Sequence, residues 1–314
     1  MSIIICAYNE ENGIRRLLEA LPSQRLPPWI SDYEIIVVAS GCTDGTVDVV
    51  RRHMARTPKI RLIEEAERRG KAAAVNKALS TSTGDLLVFI PADVLPARDG
   101  IYHLLQPFRD PSVVAVSGRP VQDPAYQKGG LIGYLMNLTH RLWSRLMGVL
   151  NEMGAVAHCS GEFMAIRAGV VARIPEDCVA DDAYISIMAR RRGVVKFAPE
   201  AVCYNLAPSN LKDYVSQRRR WLFGHLQVRR LTGEYPTVMD TLILTRPWLA
   251  LRVVAEEVRS HLRGLPFLLC AGLLEILILL LVVLDVLRGR QYAVWPMIKS
   301  TKPTYWAGKG RLKR

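Results

Sequence analysis

The sequence predicts an α/β fold, a mostly parallel sheet with helices on both faces, followed by membrane-associated helices at the C-terminal end. Three observations carry this. Over the first 120 residues, short apolar or β-branched runs alternate with segments of helical spacing. The run Leu86-Leu87-Val88-Phe89-Ile90 is apolar throughout, as a strand covered on both faces must be. Residues Leu265 to Leu287 are almost wholly apolar and, at about 1.5 Å per residue, match a hydrocarbon core of roughly 30 Å.

Strands are expected at Ser2–Cys6, Tyr33–Ala39, Lys59–Ile63, Leu86–Ile90 and Val113–Gly118, with loop residues between them. Met1-Ser2-Ile3-Ile4-Ile5 is too short an apolar run for a signal peptide and reads as the first strand. Helical spacing marks Glu11–Leu21, Thr43–Ala55, Lys71–Leu79 and Asp99–Phe108. In such sheets ligands bind beyond the carboxyl ends of the strands, and Asn9 and Asp93 each stand three residues past one of those ends. Beyond Gly118 the pattern changes. Leu131–Met153 is a long amphipathic stretch, Phe163–Arg167 and Val194–Ala198 are strands flanking a helix that starts near Asp181, and Asn210–Leu231 is a basic helix. The expected organisation is an α/β domain over 1–235, amphipathic and transmembrane or re-entrant helices over 236–290, and a basic tail over 291–314.

Lys and Arg number 42 against 29 Asp and Glu, a net charge of +13 that favours phosphorylated ligands, anionic headgroups or nucleic acid. No nucleic-acid module accompanies the charge, which concentrates in Arg190–Arg192, Arg218–Arg220, Arg229-Arg230 and the tail, so nucleic acid is not an expected partner. The six cysteines, Cys6, Cys42, Cys159, Cys178, Cys203 and Cys270, are scattered without a zinc or disulfide spacing, as in a reducing compartment. Glu275 and Asp285 interrupt the apolar run, and basic residues flank it on both sides (Arg259 and Arg263, then Arg288 and Arg290). Charge on both flanks gives no orientation for a single span. A hairpin with Val238–Val258, re-entrant or lying in the interface, would keep both flanks at one surface.

The chemistry-bearing residues come in a telling order: Asp93 after a buried strand, the pair Asp181-Asp182, then Gln217-Arg218-Arg219-Arg220-Trp221. Sugar transfer from a nucleotide diphosphate needs these types. One carboxylate holds a metal on the pyrophosphate, a second takes a proton from the acceptor, and a basic-aromatic clamp covers the donor. Each element also has a plainer reading. Two acids at a helix N-terminus are favoured by the macrodipole, and a lone basic tract can be a solvated helix face.

Assembled, these marks resemble glycosyltransferase family 2, from Ser2 to about Leu231, and the resemblance implies a GT-A fold. Ser2-Ile3-Ile4-Ile5-Cys6-Ala7-Tyr8-Asn9-Glu10 is similar to the family's opening strand and nucleotide loop. That implies donor contacts for Ala7, Tyr8, Asn9 and Glu10, with Tyr8 either stacking on a base or simply packed. Val38-Ala39-Ser40-Gly41-Cys42-Thr43-Asp44-Gly45-Thr46 resembles the second donor loop and implies a base contact at Ser40, though Ala39-Ser40 replace the usual acidic pair; Asp44 reads as a helix cap. Gly70-Lys71-Ala72-Ala73-Ala74-Val75-Asn76 is similar to the family's Gly-Lys segment, with Lys71 at a helix N-terminus as a donor contact or a surface lysine.

Ile90-Pro91-Ala92-Asp93 stands where the family carries Asp-x-Asp, and the resemblance implies that Ala92 and Asp93 meet the donor and that Asp93 binds Mg²⁺ or Mn²⁺. Pro91 replaces the first acid, leaving other ligands to substrate oxygens, water or another side chain. His158-Cys159-Ser160-Gly161-Glu162-Phe163 is either a turn before a strand or, by resemblance, the acceptor side, with Ser160 and Gly161 as contacts. Ala180-Asp181-Asp182 resembles Thr-Glu-Asp and implies catalytic roles for both acids, Asp182 as general base. Gln217-Arg218-Arg219-Arg220-Trp221 matches Gln-x-x-Arg-Trp as in cellulose and hyaluronan synthases, implying Gln217 and Arg220 at the donor and Trp221 at the acceptor.

The function expected is inverting, metal-assisted glycosyl transfer from a nucleotide-diphosphate sugar, a UDP-sugar first among candidates, to a glycan or lipid-linked acceptor. It is expected at the cell membrane with the catalytic domain on the cytoplasmic side, the Leu131–Met153 stretch lying against the lipid. One or two membrane helices are too few for an export channel without a partner or a homo-oligomer. Monosaccharide transfer to a polyprenyl phosphate is the nearest rival, and a binding module without turnover is the rival from another class. A nicotinamide dehydrogenase is disfavoured because no Gly-x-Gly-x-x-Gly follows the first strand, and a nucleotidyltransferase because its Gly-rich, Arg-containing first loop is absent.

Overall fold

The computed structural model describes residues 1–124, 130–290, 292–295 and 297–302, so most of the expected basic tail lies outside the described residues. Among them, eight strands form one sheet: β1 (Ser2–Ala7), β2 (Glu34–Ser40), β3 (Ile60–Glu65), β4 (Leu86–Phe89), β5 (Leu95–Pro96), β6 (Val113–Gln122), β7 (Met164–Arg167) and β8 (Val194–Asn205). Their order is β3-β2-β1-β4-β7-β6-β8-β5. Strands β1 to β4 are mutually parallel, and β6 runs parallel to β8. β7 is antiparallel to both neighbours, and the two-residue β5 is antiparallel on the edge.

Strand side chains alternate between two cores. Ile4, Ile36, Val38, Leu87 and Phe89 face one layer with helices α3 (Lys71–Leu79) and α6 (Asp181–Arg190). Ile3, Ile5, Ile35, Val37, Leu86 and Val88 face the other with α1 (Glu11–Ala20), α2 (Thr46–Met54) and α4 (Gly100–Leu105). β6 and β8 run further than the sequence suggested, pairing out to Gln122 and Asn205. Gly118, Pro120 and Pro199 read as strand breakers, but register shifts between Ser117 and Arg119 absorb them while pairing resumes beyond. Gly118 sits there because a Cβ would lie 2.5 Å from the Phe163 ring.

Helix α5 (Leu131–Glu152) and α7 (Leu211–Thr232) are the long helices of the second half. Asn210 caps α7 by accepting the Asp213 amide at 2.9 Å, and Gly233 ends it in the left-handed region at φ 82°. α8 (Met239–Thr245), α9 (Pro247–Ser260) and α10 (Leu265–Leu287) follow. The expectation that α5 lies against the membrane is corrected: α9 and α10 pack over it. Glu257 of α9 reaches Arg141 at 2.8 Å and Arg145 at 2.9 Å, while Leu135 and Met136 join Ile278 and Val282 of α10 in one cluster. The acids that interrupt the apolar run are answered by α7. Glu275 pairs with Arg218 at 2.8 Å, and Asp285 takes both nitrogens of the Arg219 fork. By length and composition α10 is the one helix among the described residues able to cross a membrane.

Candidate active site

The first loop after β1 is built by cross-loop bonds. Asn9 takes a positive φ of 52°, and its side-chain oxygen accepts the Thr43 amide at 2.8 Å. Asp44 accepts the Thr46 amide at 3.0 Å and the Glu11 amide at 3.2 Å, capping the starts of two helices. Tyr8 lies under the Arg68 guanidinium, 3.8 Å from its ring centroid, so its face is in contact with a cation. Ser40 is buried and donates to the Glu67 carbonyl at 3.3 Å, while Ala7 and Ala92 are packed into the core. These last three therefore offer backbone, or a spent hydroxyl, rather than a free side chain.

The acids gather at the carboxyl ends of β1 and β4. Asp93 follows β4, and Gly13 of α1 lets its loop close in, since a Cβ at Gly13 would meet the Ala92 carbonyl at 2.7 Å. Lys71, first residue of α3, pairs with the buried Asp181 at 3.0 Å. Asp182 is held by backbone: the Gly161 amide donates to Oδ2 at 2.9 Å and the Ala183 amide to Oδ1 at 2.8 Å. Only glycine fits at 161, because a Cβ there would stand 2.7 Å from Asp182 Oδ2. Lys71, Pro91, Gly161 and Asp181 line one small hollow.

The two adjacent acids are pushed apart electrostatically. Burial raises Asp181 above the ordinary carboxylate range despite the opposing pull of Lys71. Burial acts on Asp182 too, but the Lys71 charge and the Ala183 amide hold it below that range. Asp93 is raised by burial against the attraction of Lys71 and Arg220. Lys71 remains firmly protonated, because attraction to Asp181 and Asp182 outweighs its desolvation.

Of the α7 tract, Arg220 belongs to this cluster. Burial lowers its guanidinium to about 10 against the pull of Asp181, Asp182 and Asp93. Arg218 and Arg219 turn the other way, to Asp240 and Glu275 and to Asp285. Trp221 packs in the α5–α7–α10 cluster and carries the Arg218 guanidinium 5.4 Å from its ring centroid. Gln217 Oε1 is buried without a hydrogen-bond partner. The structure thus brings together Glu10, Lys71, Asp93, Gly161, Asp181, Asp182 and Arg220, and leaves Trp221 packed beside α5 and α10. Ser160 supports the site from below, its amide donating to Ser117 Oγ at 2.9 Å.

Three residues at the site escaped the sequence reading. Glu162 accepts from Asn205 Nδ2 at 2.6 Å, and burial beside Asp93 and Asp182 pushes its carboxyl up to about 7. Its partner lies at the far end of β8, which no local pattern could reveal. Trp295 lies under Arg220, 4.3 Å from guanidinium carbon to ring centroid, and Lys302 reaches both Glu10 and, at 3.4 Å, Asp93. Both fall in a segment that reads locally as a solvated basic tail.

A cation fits beside Asp93. The Lys302 ammonium already lies against Asp93 and Glu10, so two carboxylates share one positive charge there. Oxygen donors suit Mg²⁺ or Mn²⁺. Among the described residues no three His, Cys, Asp or Glu converge, so water and substrate oxygens would complete the shell.

Comparison with known proteins identifies the frame. The family described as "Glycosyl transferase family 2" matches residues 2–174, and "Glycosyl transferase family group 2" matches residues 104–301. The chain belongs to glycosyltransferase family 2. Its mixed sheet with flanking helices is accordingly of GT-A type. The family 2 chain is 26% identical over 250 residues to a poly-beta-1,6-N-acetyl-D-glucosamine synthase of Staphylococcus aureus, covering 77% of this chain and 58% of that protein. The synthase of the same description from Staphylococcus epidermidis is 22% identical over 247 residues, 76% of this chain and 57% of that one. The chain therefore spans under two thirds of the length of these relatives. Among solved structures, a mannosyltransferase of Pyrobaculum calidifontis in complex with GDP-Man and Mn²⁺ superposes with a TM-score of 0.66 at 26% identity, covering 92% of this chain and 87% of that one.

Proposed function

We propose that this family 2 chain is an inverting, metal-assisted glycosyltransferase that moves a sugar from a nucleotide-diphosphate donor to a glycan or lipid-linked acceptor at a membrane surface. The observation that carries the reading is the Asp182 carboxylate, fixed by two backbone amides within the cluster of Asp93, Lys71 and Arg220. Asp182 takes the proton of the acceptor hydroxyl as that oxygen bonds to the anomeric carbon. The bond from that carbon to the phosphate oxygen breaks, and its electron pair leaves with the nucleoside diphosphate. One displacement inverts the anomeric centre, so no nucleophilic side chain is required.

Lys71 and Arg220 face the developing negative charge on the departing diphosphate, the arginine with charge-assisted bonds. A divalent ion held by Asp93 would neutralise further charge on the diphosphate. Tyr8, Asn9, Glu10 and Ser40 bound the nucleoside side in this reading, and Ser160 and Gly161 the acceptor side. The Mn²⁺ and GDP-Man of the Pyrobaculum enzyme support a metal and a nucleotide sugar, and make GDP-mannose a donor to test beside the UDP-sugars. The staphylococcal synthases support a glycan acceptor. A second reading, single transfer to a polyprenyl phosphate, is favoured by α10 being the one span-length apolar helix described.

Nucleotide release from a panel of UDP- and GDP-sugars, with and without Mn²⁺, tests the proposal. Release from none of them would leave a binding module. Asp93→Ala is expected to abolish metal-dependent donor binding, and a variant that still binds nucleotide only with Mn²⁺ would remove Asp93 from the ligand set.

A further inference from the structure

We propose that the chain docks on an anionic bilayer from one side, the outer faces of α8, α9 and α10 lying in the lipid interface, and that α10 does not cross. This rests on the membrane-surface reading above and decides a topology which that reading leaves open.

α10 is seated lengthwise on the catalytic domain. Ala271, Leu274, Glu275, Ile278, Val282, Asp285 and Val286 recur at helical spacing along one face, packed or ion-paired against α5 and α7. The opposite face is bare: Leu269, Leu273, Ile276, Leu280 and Leu287 are exposed, Leu273 by 71%.

Both ends of the helix are bound to the same domain. At the start, Phe267 stacks on Tyr134 of α5 at 4.3 Å, and a Cβ at Gly264 would collide with the Tyr134 hydroxyl. At the end, Asp285 holds Arg219 and accepts from Tyr292 at 2.6 Å. The chain then enters the cleft, with Trp295 under Arg220, Ser300 donating its amide to Asp213 at 3.2 Å, and Lys302 at Glu10 and Asp93. A crossing helix delivers its two ends to opposite surfaces, about 30 Å of hydrocarbon apart. Here the residues after α10 belong to the same water-facing cleft as those before it.

Ile243, Leu244, Trp248 and Leu251 of α8 and α9 are bare as well, with Trp248 82% exposed. Exposed Arg246, Arg252, Arg259, Arg288 and Arg290 lie on these helices or at their ends, Arg252 paired with Glu256 and Arg290 with Asp285. An open hollow of about 490 Å³ is lined by Arg259, Ser260 and His261 together with Tyr134 and Phe267. Bare apolar side chains, a tryptophan and arginines on the same helices suit acyl chains beneath anionic headgroups. A second copy of the chain would instead bring one set of arginines against another.

Flotation of the purified full chain with phosphatidylcholine vesicles, with and without phosphatidylglycerol, tests the surface. Binding is expected to need the anionic lipid and to weaken by roughly tenfold or more in Leu273→Glu/Leu280→Glu and in Trp248→Glu. Unchanged flotation of those variants, or a concentration-dependent dimer in place of vesicle binding, would overturn the proposal. Epitopes at the two termini should both be cleaved by protease added to inverted membrane vesicles, whereas protection of one alone would establish a crossing helix. Nucleotide release measured on the same preparations separates the two readings: its absence with intact one-sided docking removes the transferase, and its persistence without docking removes only the surface.

Discussion

At Asp182 the backbone does the positioning, and a single missing methyl group makes room for it. The Gly161 amide donates to a carboxylate standing so close that Gly161→Ala must displace it. A displacement of the base by about 1 Å costs about 10²-fold in turnover, so Gly161→Ala is expected to lower kcat by that order while donor affinity is kept. Calorimetric donor titration beside steady-state rates reads both, and an unchanged kcat would mean the carboxylate is not the base. Asp182→Asn keeps the same shape and donor affinity but is expected to reduce transfer by about 10³-fold. Lys71→Met leaves the buried Asp181 carboxylate unpaired, a loss of about 3 kcal/mol in urea unfolding that Lys71→Met/Asp181→Asn largely restores. Equal stability of the single and double variants would show that the pair is not coupled.

At the scale of elements, the tract on α7 divides its labour by helical position. Arg220 faces the acids of the cleft, whereas Arg218, 9% exposed, ties Asp240 of α8 to Glu275 of α10. Arg218→Met strands two acids at once. Hydrogen exchange of the variant is expected to rise in α8 and α10 and stay unchanged in β1 to β4, and a uniform rise would mean that the arginine supports the whole domain instead. The tract, with Arg220 as its expected donor-facing residue, could be read in the sequence, but the partners of Arg218 and Arg219 could not. That depends on the rotation of α7 against α10, a property of packing rather than of the string. The same holds for β6 and β8, whose prolines and glycine end a local strand pattern that long-range pairing then carries on.

Across the whole molecule, buried imidazoles and buried acids pull stability in opposite directions in mild acid. Glu162 takes up its proton near pH 7 in the folded chain and offsets part of what His140 and His158 lose. Burial depresses His140 and His158 from 6.5 to about 4, so both are neutral in the folded chain. Unfolded imidazoles take up protons below pH 6.5 while the folded ones refuse them. The contribution is therefore whole above 6.5 and lost as pH falls towards 4, by up to roughly 3 kcal/mol per imidazole. Thermal unfolding from pH 7 to 4 measures the loss. His140→Asn is expected to flatten the curve, since Asn205 at 3.4 Å is the only hydrogen-bond contact described for that imidazole; an unaltered pH dependence would point to other groups.

The order of strands and helices, the parallel half of the sheet, the family and the ordered series Asp93, Asp181-Asp182 and Arg220 were all determined by the sequence alone. Each is written in local periodicity or in a short motif, which neighbouring residues suffice to express. Tertiary structure alone decided that Glu162 meets Asn205, that Lys302 returns across the fold to Glu10 and Asp93, and that the acids of the apolar run face arginines rather than lipid. Those pairings join segments far apart in the chain, where the energy of a buried charge is settled by whichever opposite charge folding brings beside it.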